Sequence, residues 1–222
     1  MSASYKNNSR SRADANQPSG DNQKKHMVRY SRALSKILRH SAQKQGIPIS
    51  SDGYVNLKHI LAIPSFKAAD LAMIQQIVDD NDKKRFHMYQ HNKSGDWFIR
   101  ANQGHSMKLD IEMEELTEPI DTVIHGTYRE KWQSIATSGL SRMSRQHIHF
   151  ASGMPGENGV ISGMRSSCQV IVFVDMEAAM KDGIKFFRSA NGVILSDGLN
   201  GTIPPQYFKR VVDRRSGSEL EY

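Results

Sequence analysis

The sequence predicts an α+β protein made of two parts, and three observations support this prediction. In the first half of the 222 residues, apolar residues recur at helical spacing in short segments that precede two alternating, strand-like segments. In the second half, short apolar runs typical of strands are interrupted by two helical segments that end at glycine. Positive charge is concentrated in the first half, since residues 27–103 carry twelve Lys/Arg against six Asp/Glu, whereas residues 104–222 carry thirteen against fifteen.

Residues 1–26 are predicted to form a disordered basic tail. The segment is rich in Ser, Asn, Gln and Lys without apolar periodicity, so it cannot bury enough surface to offset the entropy lost on ordering. It lacks the apolar run of a signal peptide, and the chain has no run of about 18 apolar residues that would span a membrane. Cys168 is the only cysteine, which excludes an intramolecular disulfide. We therefore expect an intracellular protein, cytoplasmic or nuclear, without a membrane partner.

Residues 27–103 are predicted to form three short helices and a hairpin. The helices are expected at 31–45, 56–63 and 67–78, and the strands at 85–89 and 97–100. Ser31 can cap the first helix, whose last turn then carries Arg39 and His40. A glycine-containing loop separates the two strands, as in a hairpin. This order of elements is typical of a winged helix, and the positive charge agrees with nucleic-acid binding.

Residues 104–222 are predicted to form a second domain with a split sheet and few helices. Strands are expected at 123–124, 148–150, 170–174, 184–187 and 192–195, and helices at 130–136 and 176–181. Glycines 139 and 183 follow the two helices and are suited to end them. No internal repeat is found.

Basic side chains follow two of the elements in the first half. Arg39 and His40 end a helix, and Arg100 ends a strand that continues into the polar loop IRANQGHS at 99–106. Arginine binds phosphate through paired hydrogen bonds and stays charged at every working pH. The same residues also fit simpler roles, namely a cation facing the helix dipole and an ordinary polar connection. From the residues alone, both interpretations stay open.

Two motifs in the second half combine imidazoles with small residues. An apolar strand ends in HGT at 125–127, and RQHIHFAS follows at 145–152. Glycine lets a ligand approach the backbone closely, which suits recognition of an amide such as nicotinamide. His147 and His149 share one strand face, but no cysteine or carboxylate cluster accompanies them, so no metal site is predicted. The chain also lacks the Walker, GxGxxG and GxSxG motifs, which argues against nucleotide kinases, simple Rossmann dehydrogenases and serine hydrolases.

Taken in order, five motifs resemble those of the NAD-dependent RNA 2′-phosphotransferases. They are LSKILRH at 34–40, IRANQGHS at 99–106, HGT at 125–127, HIHFA at 147–151 and NGVIL at 191–195. The resemblance covers residues 28–212. It implies an N-terminal winged-helix lobe over 27–103, a C-terminal lobe similar to ADP-ribosyltransferases over 104–222, and an active site in the cleft between them.

The resemblance also implies which residues form the site. The family's catalytic set of three arginines and one histidine falls on Arg39, His40, Arg100 and Arg165, the last within SGMR at 162–165. The residues implied in NAD binding are His125, Gly126, Thr127, Arg145, His149 and Ser152. Many protein-modifying ADP-ribosyltransferases carry a glutamate on a late strand, where this chain has the uncharged GVIL at 192–195. That difference suits a phosphate acceptor, which is already an anion.

The activity that the resemblance implies is removal of an internal 2′-phosphate from RNA, as left at the splice junction of ligated tRNA. NAD is the co-substrate, no metal is required, and the products are 2′-hydroxyl RNA, nicotinamide and ADP-ribose 1″,2″-cyclic phosphate. A monomer is expected. Two alternatives stay open, namely an ADP-ribosyltransferase that caps terminal nucleic-acid phosphates and a non-catalytic winged-helix module that binds nucleic acid.

Overall fold

A computed structural model describes residues 20–154, 157, 160 and 164–222, with side chains from residue 24 onward. Over these residues the protein is a mixed α and β structure with several small antiparallel sheets, which confirms the α+β prediction. Its longest helix has 17 residues, and no helix of the described part is long and apolar enough to span a membrane. Of the predicted tail, residues 1–19 lie outside the described residues.

The first helix, α1, spans Gly20–Lys36 and continues as a π-helical turn over Ile37–Ser41. Two sequence predictions need correction here. Residues 20–26, expected in the tail, already belong to α1, and Ser31 lies in mid-helix and caps nothing. The first turns of α1 are polar and carry no apolar periodicity, so no helical signal precedes Tyr30 and Leu34, which are both buried.

The next two helices are both capped, the second by the predicted Asn56 and the third by Asp70, which was not predicted. Helix α2 spans Leu57–Leu61, and the side chain of Asn56 accepts a hydrogen bond from the Lys58 N–H, as expected. Helix α3 spans Leu71–Asp79, four residues later than predicted, because Asp70 caps it and residues 64–66 form a separate 3₁₀ turn. Both helices pack against α1 and a three-stranded sheet through a shared apolar core.

The three-stranded sheet contains the predicted hairpin and one short strand at its edge. Strand β1 spans Val55–Asn56, β2 spans Phe86–Gln90 and β3 spans Trp97–Ala101, in the order β1-β3-β2. Along β3, Ile99 and Ala101 are fully buried, whereas Phe98 and Arg100 lie on the opposite, outer face and are partly exposed. This alternation places Arg100 outside the core.

The second half forms three small antiparallel sheets and two helices. The strands are β4 Glu114–Leu116, β5 Ile124–Thr127, β6 Leu140–Ser141, β7 Ile148–Phe150, β8 Val170–Val174, β9 Phe186–Arg188, β10 Ile194–Ser196, β11 Thr202–Ile203 and β12 Phe208–Asp213. Their orders are β4-β9-β10-β7, β11-β6 and β12-β8-β5. Helix α4 spans Arg129–Ser138 and α5 spans Met176–Lys181. The five predicted strands and both helices are found, most of them with shifted ends, while β4, β6, β11 and β12 were not predicted.

The apolar residues form separate cores in the two halves. The first core is built from residues between Tyr30 and Leu109, and the larger of two clusters in the second half from residues between Leu116 and Val211. Met107 and Leu109 belong to the first core although they follow the composition change at residue 104. The chain therefore leaves the first core a few residues later than the charge distribution suggested.

Candidate phosphate and nucleotide site

Several hydrogen bonds connect the two cores next to the predicted site residues. The His149 Nε2–H donates to Gln103 Oε1 at 2.9 Å, and the Gln146 N–H donates to the His105 carbonyl at 2.9 Å. On another side, Asn191 Nδ2 donates to the Lys83 carbonyl at 2.9 Å. The loop at 102–106 thus lies against both cores, which brings the predicted residues of the two halves towards one another.

The π-helical turn at the end of α1 presents Arg39 and His40. The Ala42 N–H donates to the Ile37 carbonyl at 2.9 Å, a five-residue spacing that defines the π-turn. The Arg39 carbonyl instead accepts from the Ser106 N–H at 2.9 Å, and His40 Nδ1 is 3.0 Å from Ser106 Oγ. These contacts bind the loop after β3 to the end of α1.

A glycine lets the Arg39 side chain lie flat against that loop. Gly104 has a φ of 87°, and a Cβ there would stand 3.4 Å from the Arg39 guanidinium carbon. Arg39 Nε and Nη2 are buried without a hydrogen-bond partner. Buried polar atoms are nearly always paired in folded proteins, so these donors are available for a ligand.

Unpartnered nitrogens also occur on Arg100 and His105. Arg100 Nε and His105 Nε2 are both buried and lack a partner, although Arg100 Nη1 donates weakly to the Asp52 carbonyl at 3.4 Å. His105 is 3% exposed, and burial, followed by the charges of Arg39, His40 and Arg100, lowers its pKa to about 3. The imidazole of His105 is therefore neutral at physiological pH. Sequence reasoning placed this residue in a ligand loop without giving it a role.

The cationic residues around Arg39 lower one another's pKa values. Burial, then the charges of Arg145 and Arg85, lowers the pKa of Arg39 to about 10, so that the side chain remains charged at pH 7. Burial and then the Arg165 charge lower the pKa of Arg145. Burial, then the charges of Arg85 and Arg165, lowers the pKa of Lys83. We call these five residues, Lys83, Arg39, Arg85, Arg145 and Arg165, the basic cluster.

None of the basic cluster forms an ion pair with an acidic side chain among the described residues. The charge of a neighbouring carboxylate, Asp82, raises the pKa of Arg85 against the effect of burial. Repulsion between neighbouring cations is unfavourable unless an anion neutralises them. The arrangement is therefore complementary to a multiply charged anion such as phosphate.

Arg165 joins the basic cluster from the second half of the molecule. It is exposed, and its charge acts on Arg145 and Lys83. It also lowers the pKa of Tyr128, where a hydrogen bond with Ser167 has the larger effect. Residues 162 and 163 of the SGMR motif lie outside the described residues. Of the four predicted catalytic residues, Arg39, His40 and Arg100 act through their charges on His105, whereas Arg165 acts on Arg145, whose charge in turn acts on Arg39.

A cavity of about 560 Å³ lies beside the basic cluster in the second half. Four predicted nucleotide-binding residues line it, namely His125, Thr127, Arg145 and His149. The volume falls in the range of about 300–1,000 Å³ that is usual for ligand pockets. Most of the remaining lining comes from α4 and from the segment 138–144 that follows it.

Hydrogen bonds fix two of the histidines of this cavity, His125 and His149. The His125 Nδ1–H donates to the His149 carbonyl at 2.9 Å, so that the His125 Nε2 keeps a free lone pair when the ring is neutral. Burial lowers the pKa of both imidazoles, and the hydrogen bond to the His149 backbone opposes part of this shift at His125. Both rings are therefore neutral walls of the cavity at pH 7.

Two predicted nucleotide-binding residues do not line the cavity. The space above Gly126 is filled by Met164 and Cys168, with which any Cβ at that position would collide. The need for glycine there is thus explained by side-chain packing. Ser152 is exposed on the bend that follows β7. No group of three or more His, Cys, Asp or Glu residues in the described part of the chain could hold a metal ion.

Sequence reasoning missed Lys83 and Arg85 as neighbours of the predicted site residues, and it gave His105 no role. Lys83 and Arg85 directly precede β2, the strand that pairs with β3 and so lies beside Arg100. Asn102 holds this segment, because its N–H donates to the Arg85 carbonyl at 2.8 Å and its Nδ2 to the Lys84 carbonyl at 2.7 Å. The available signal was a run of three basic residues entering the strand next to the predicted Arg100.

Comparisons with known proteins identify the same type of protein as the motifs. The model of the family described as RNA 2′-phosphotransferase, Tpt1 / KptA family, matches residues 25–198. A Bos taurus protein named tRNA 2′-phosphotransferase 1 is 46% identical over 193 residues, which cover 85% of this chain and 76% of that protein. The Saccharomyces cerevisiae tRNA 2′-phosphotransferase is 39% identical over 196 residues, 83% of each chain. A Schizosaccharomyces pombe relative is 47% identical, and the matched region spans about half (51%) of its length.

Proposed function

The chain belongs to the RNA 2′-phosphotransferase, Tpt1 / KptA family, and on that premise we propose that it removes an internal 2′-phosphate from spliced tRNA by transferring it to NAD. The observation that carries this proposal is the basic cluster, whose cations form no ion pair with an acidic side chain of the described residues and lie beside a cavity of nucleotide-binding size. A phosphorylated RNA would supply the missing anion. NAD would occupy the cavity lined by His125, Thr127, Arg145 and His149.

The two halves have different tasks in this proposal. The first, with its helices, hairpin and basic surface, acts as a winged-helix lobe that receives the RNA. The second, with its split sheets and cavity, acts as an ADP-ribosyltransferase-like lobe that receives NAD. The protein acts as a monomer inside the cell, in the cytoplasm or the nucleus.

The first chemical step forms one bond and breaks one. A 2′-phosphate oxygen attacks the anomeric carbon of the nicotinamide ribose, and nicotinamide leaves with the electron pair of the glycosidic bond. Arg39 and Arg100 hold the attacking phosphate through donors that are unpartnered in the free protein. Burial, and then the charge of Arg39, lowers the pKa of His40. The neutral ring can therefore donate its N–H to a phosphate oxygen or accept a hydrogen bond from a ribose hydroxyl.

The second step transfers phosphorus away from the RNA. The ribose 2″-hydroxyl attacks the phosphorus, the RNA 2′-oxygen leaves and takes up a proton, and ADP-ribose 1″,2″-cyclic phosphate is released. Charge that builds on the phosphate oxygens is stabilised by guanidinium groups in fixed positions. His125 Nε2 lies on the cavity wall with a free lone pair and can accept a hydrogen bond from a ribose hydroxyl. We propose that the arginines replace any need for a divalent metal.

The proposal is tested by incubating the protein with NAD and an RNA that carries one internal 2′-phosphate, with and without EDTA. We expect 2′-hydroxyl RNA, nicotinamide and ADP-ribose 1″,2″-cyclic phosphate in equal amounts, and no effect of the chelator. An RNA with only a terminal phosphate is the matched control. Stable ADP-ribosylated RNA as the final product would instead identify a capping transferase, and loss of turnover in EDTA would overturn the metal-free chemistry.

A further inference from the structure

We propose that the outer face of the three-stranded sheet binds the unpaired bases next to the 2′-phosphate. This surface, which we call the aromatic face, consists of Tyr54, His87, Tyr89 and Phe98. The inference rests on the proposed function, because it places the phosphate at Arg100. Its ligand is single-stranded RNA, recognised by stacking of bases on aromatic rings rather than by base-specific hydrogen bonds.

The strand register places His87, Tyr89 and Phe98 in two rows on one face, together with Arg100. His87 pairs with Arg100, and Tyr89 pairs with Phe98 in the next outward-facing position. Successive outward positions on a strand are about 7 Å apart, a distance that single-stranded RNA can bridge between neighbouring bases. The aromatic face therefore offers two adjacent rows of side chains. The first row contains Arg100, which is proposed to bind the phosphate.

Ring contacts connect Arg100 to the far side of the sheet. The Arg100 guanidinium carbon lies 4.7 Å from the centre of the Tyr54 ring. The Tyr54 ring meets Tyr89 edge to face at 4.9 Å, and Tyr89 stacks on Phe98 at 5.4 Å. An arginine stacked on an aromatic ring keeps its edge free for phosphate. An RNA strand held by its 2′-phosphate at Arg100 would thus pass directly over aromatic rings.

The core of the first half does not require these rings. The inner face of the same sheet carries Phe86, Ile99 and Ala101, all at most 4% exposed, and these residues form the core. The outer rings are only partly buried and lie outside that core. Cross-strand aromatic pairs do stabilise sheets, by roughly 0.2–1 kcal/mol, so their packing alone does not require an RNA ligand. What favours RNA is the continuity with Arg100.

The charges around the aromatic face suit a nucleic-acid strand approaching from Arg100. Burial raises the pKa of Tyr54, and the Arg100 charge is the next largest influence, ahead of Asp52 and Glu112. Asp96, at the start of β3, is neutralised by Lys58 at 2.6 Å. The carboxylate nearest Phe98 in the chain is thus paired with a lysine, and the strand can run from Arg100 across Tyr89 and Phe98.

A binding experiment without NAD tests the proposal, because no transfer can then take place. A fluorescent single-stranded RNA with one internal 2′-phosphate is titrated with the protein and its dissociation constant is measured by anisotropy. Matched RNAs lack the base of the nucleotide before or after the 2′-phosphate. We expect removal of a base on at least one side to weaken binding about 5- to 100-fold, as expected for loss of a stacked base.

Phe98→Leu and Tyr89→Leu locate the lost contact, and Tyr222→Leu is the matched control because Tyr222 packs on Phe208 in the other half. In at least one of the first two variants, the intact RNA should bind more weakly and removal of the base should have little further effect. The loss of affinity on removing the 2′-phosphate should be the same in these variants as in the unmodified protein. If the substitutions merely disordered the first half, the loss of affinity on removing the 2′-phosphate would change as well.

Two outcomes would overturn the aromatic face as an RNA site. One is equal binding of intact and abasic RNAs by the unmodified protein. The other is an effect of base removal that stays at full size in both Phe98→Leu and Tyr89→Leu. A failure of the proposed function is distinguishable, because removal of the 2′-phosphate itself would then leave affinity unchanged.

Discussion

The two ends of the site differ in how their polar groups are satisfied. At the phosphate end, nitrogens of Arg39, Arg100 and His105 are buried without partners. At the nucleotide end, His125 donates to the His149 backbone and His149 donates to Gln103. The difference suggests that the nucleotide wall is complete before any ligand arrives, whereas the phosphate end is completed only by its anion. Substitutions at the phosphate end should therefore lower the rate of transfer without lowering stability, whereas substitutions at the nucleotide end should lower stability.

The largest effect is expected from Arg39→Met, which keeps the length of the side chain and removes its charge. The rate of 2′-phosphate transfer should fall by about 10²–10³, by analogy with the loss of one oxyanion donor. The melting temperature should not fall, because the substitution removes a partly buried charge that forms no ion pair with an acidic side chain of the described residues. Single-turnover rates and thermal unfolding measure the two quantities.

The matched control is Arg129→Met, in which Arg129 Nη2 loses its 2.5 Å contact with the buried Asp213. This variant should lower the melting temperature and leave the rate of transfer unchanged. A marked loss of stability in Arg39→Met, or an unchanged rate, would contradict the distinction between the two ends.

Arg165→Ala tests whether the phosphate end works in both chemical steps. Arg165 reaches the basic cluster from the half that holds the nucleotide cavity, and its charge acts on Arg145, which lines that cavity. We expect nicotinamide release to continue while RNA-2′-phospho-ADP-ribose accumulates. A time course with labelled RNA measures substrate, adduct and product, and Arg188→Ala, which removes the partner of Glu114, serves as control. Normal rates of both steps would remove Arg165 from the site.

His149→Phe, a substitution at the nucleotide end, should lower the stability of the protein. It leaves Gln103 Oε1 buried without a donor, which should lower the free energy of unfolding by about 1–3 kcal/mol. Urea unfolding measures this loss. His147→Gln, in which a ring paired with the exposed Asp197 is lost, should cost about 0–1 kcal/mol. Equal losses in the two variants would show that the bond to Gln103 adds no stability.

A separate effect concerns the pH dependence of stability at the phosphate end. The pKa of His105 is about 3 in the folded protein against 6.5 for the free side chain. Below pH 6.5 the unfolded chain binds a proton that the folded protein does not, so stability should fall by up to about 1.4 kcal/mol per pH unit as pH decreases towards 3. In His105→Gln this fall between pH 7 and 5 should be shallower. Identical slopes would place the acid sensitivity elsewhere.

Local signals in the sequence predicted the elements whose ends depend on neighbouring residues. The cap at Asn56, the glycine stop after α4 and the hairpin 86–101 all rest on contacts within a few residues, and all are confirmed. The predicted start of α1 was wrong because the first turns of this helix are polar. Strand β12 was missed because its sequence, FKRVVD, becomes a strand only by pairing with β8.

The sequence supplied candidate site residues from each half, which stay predictions, but it gave no indication of the contacts that connect the two halves. Arg39 and His40 were identified from motifs, and the structure adds the π-turn that presents them. Arg85 and Lys83 were missed because their proximity to Arg39 and Arg165 depends on tertiary packing. Gly126 was assigned to ligand approach, whereas its neighbours are Met164 and Cys168. A single sequence carries no signal for such contacts between distant segments.

Because of the π-turn at Ile37–Ser41, this part of the chain is more sensitive to the deletion of a residue than to a substitution. Loss of one residue there would restore ordinary helical hydrogen bonding and rotate the downstream chain by about 100° relative to α1. Either Tyr30 and Leu34 would then leave the core, or Arg39 and His40 would turn away from the phosphate. Substitutions along α1 can accumulate independently of the reaction, but an in-frame deletion of a single codon at this turn would disable the enzyme.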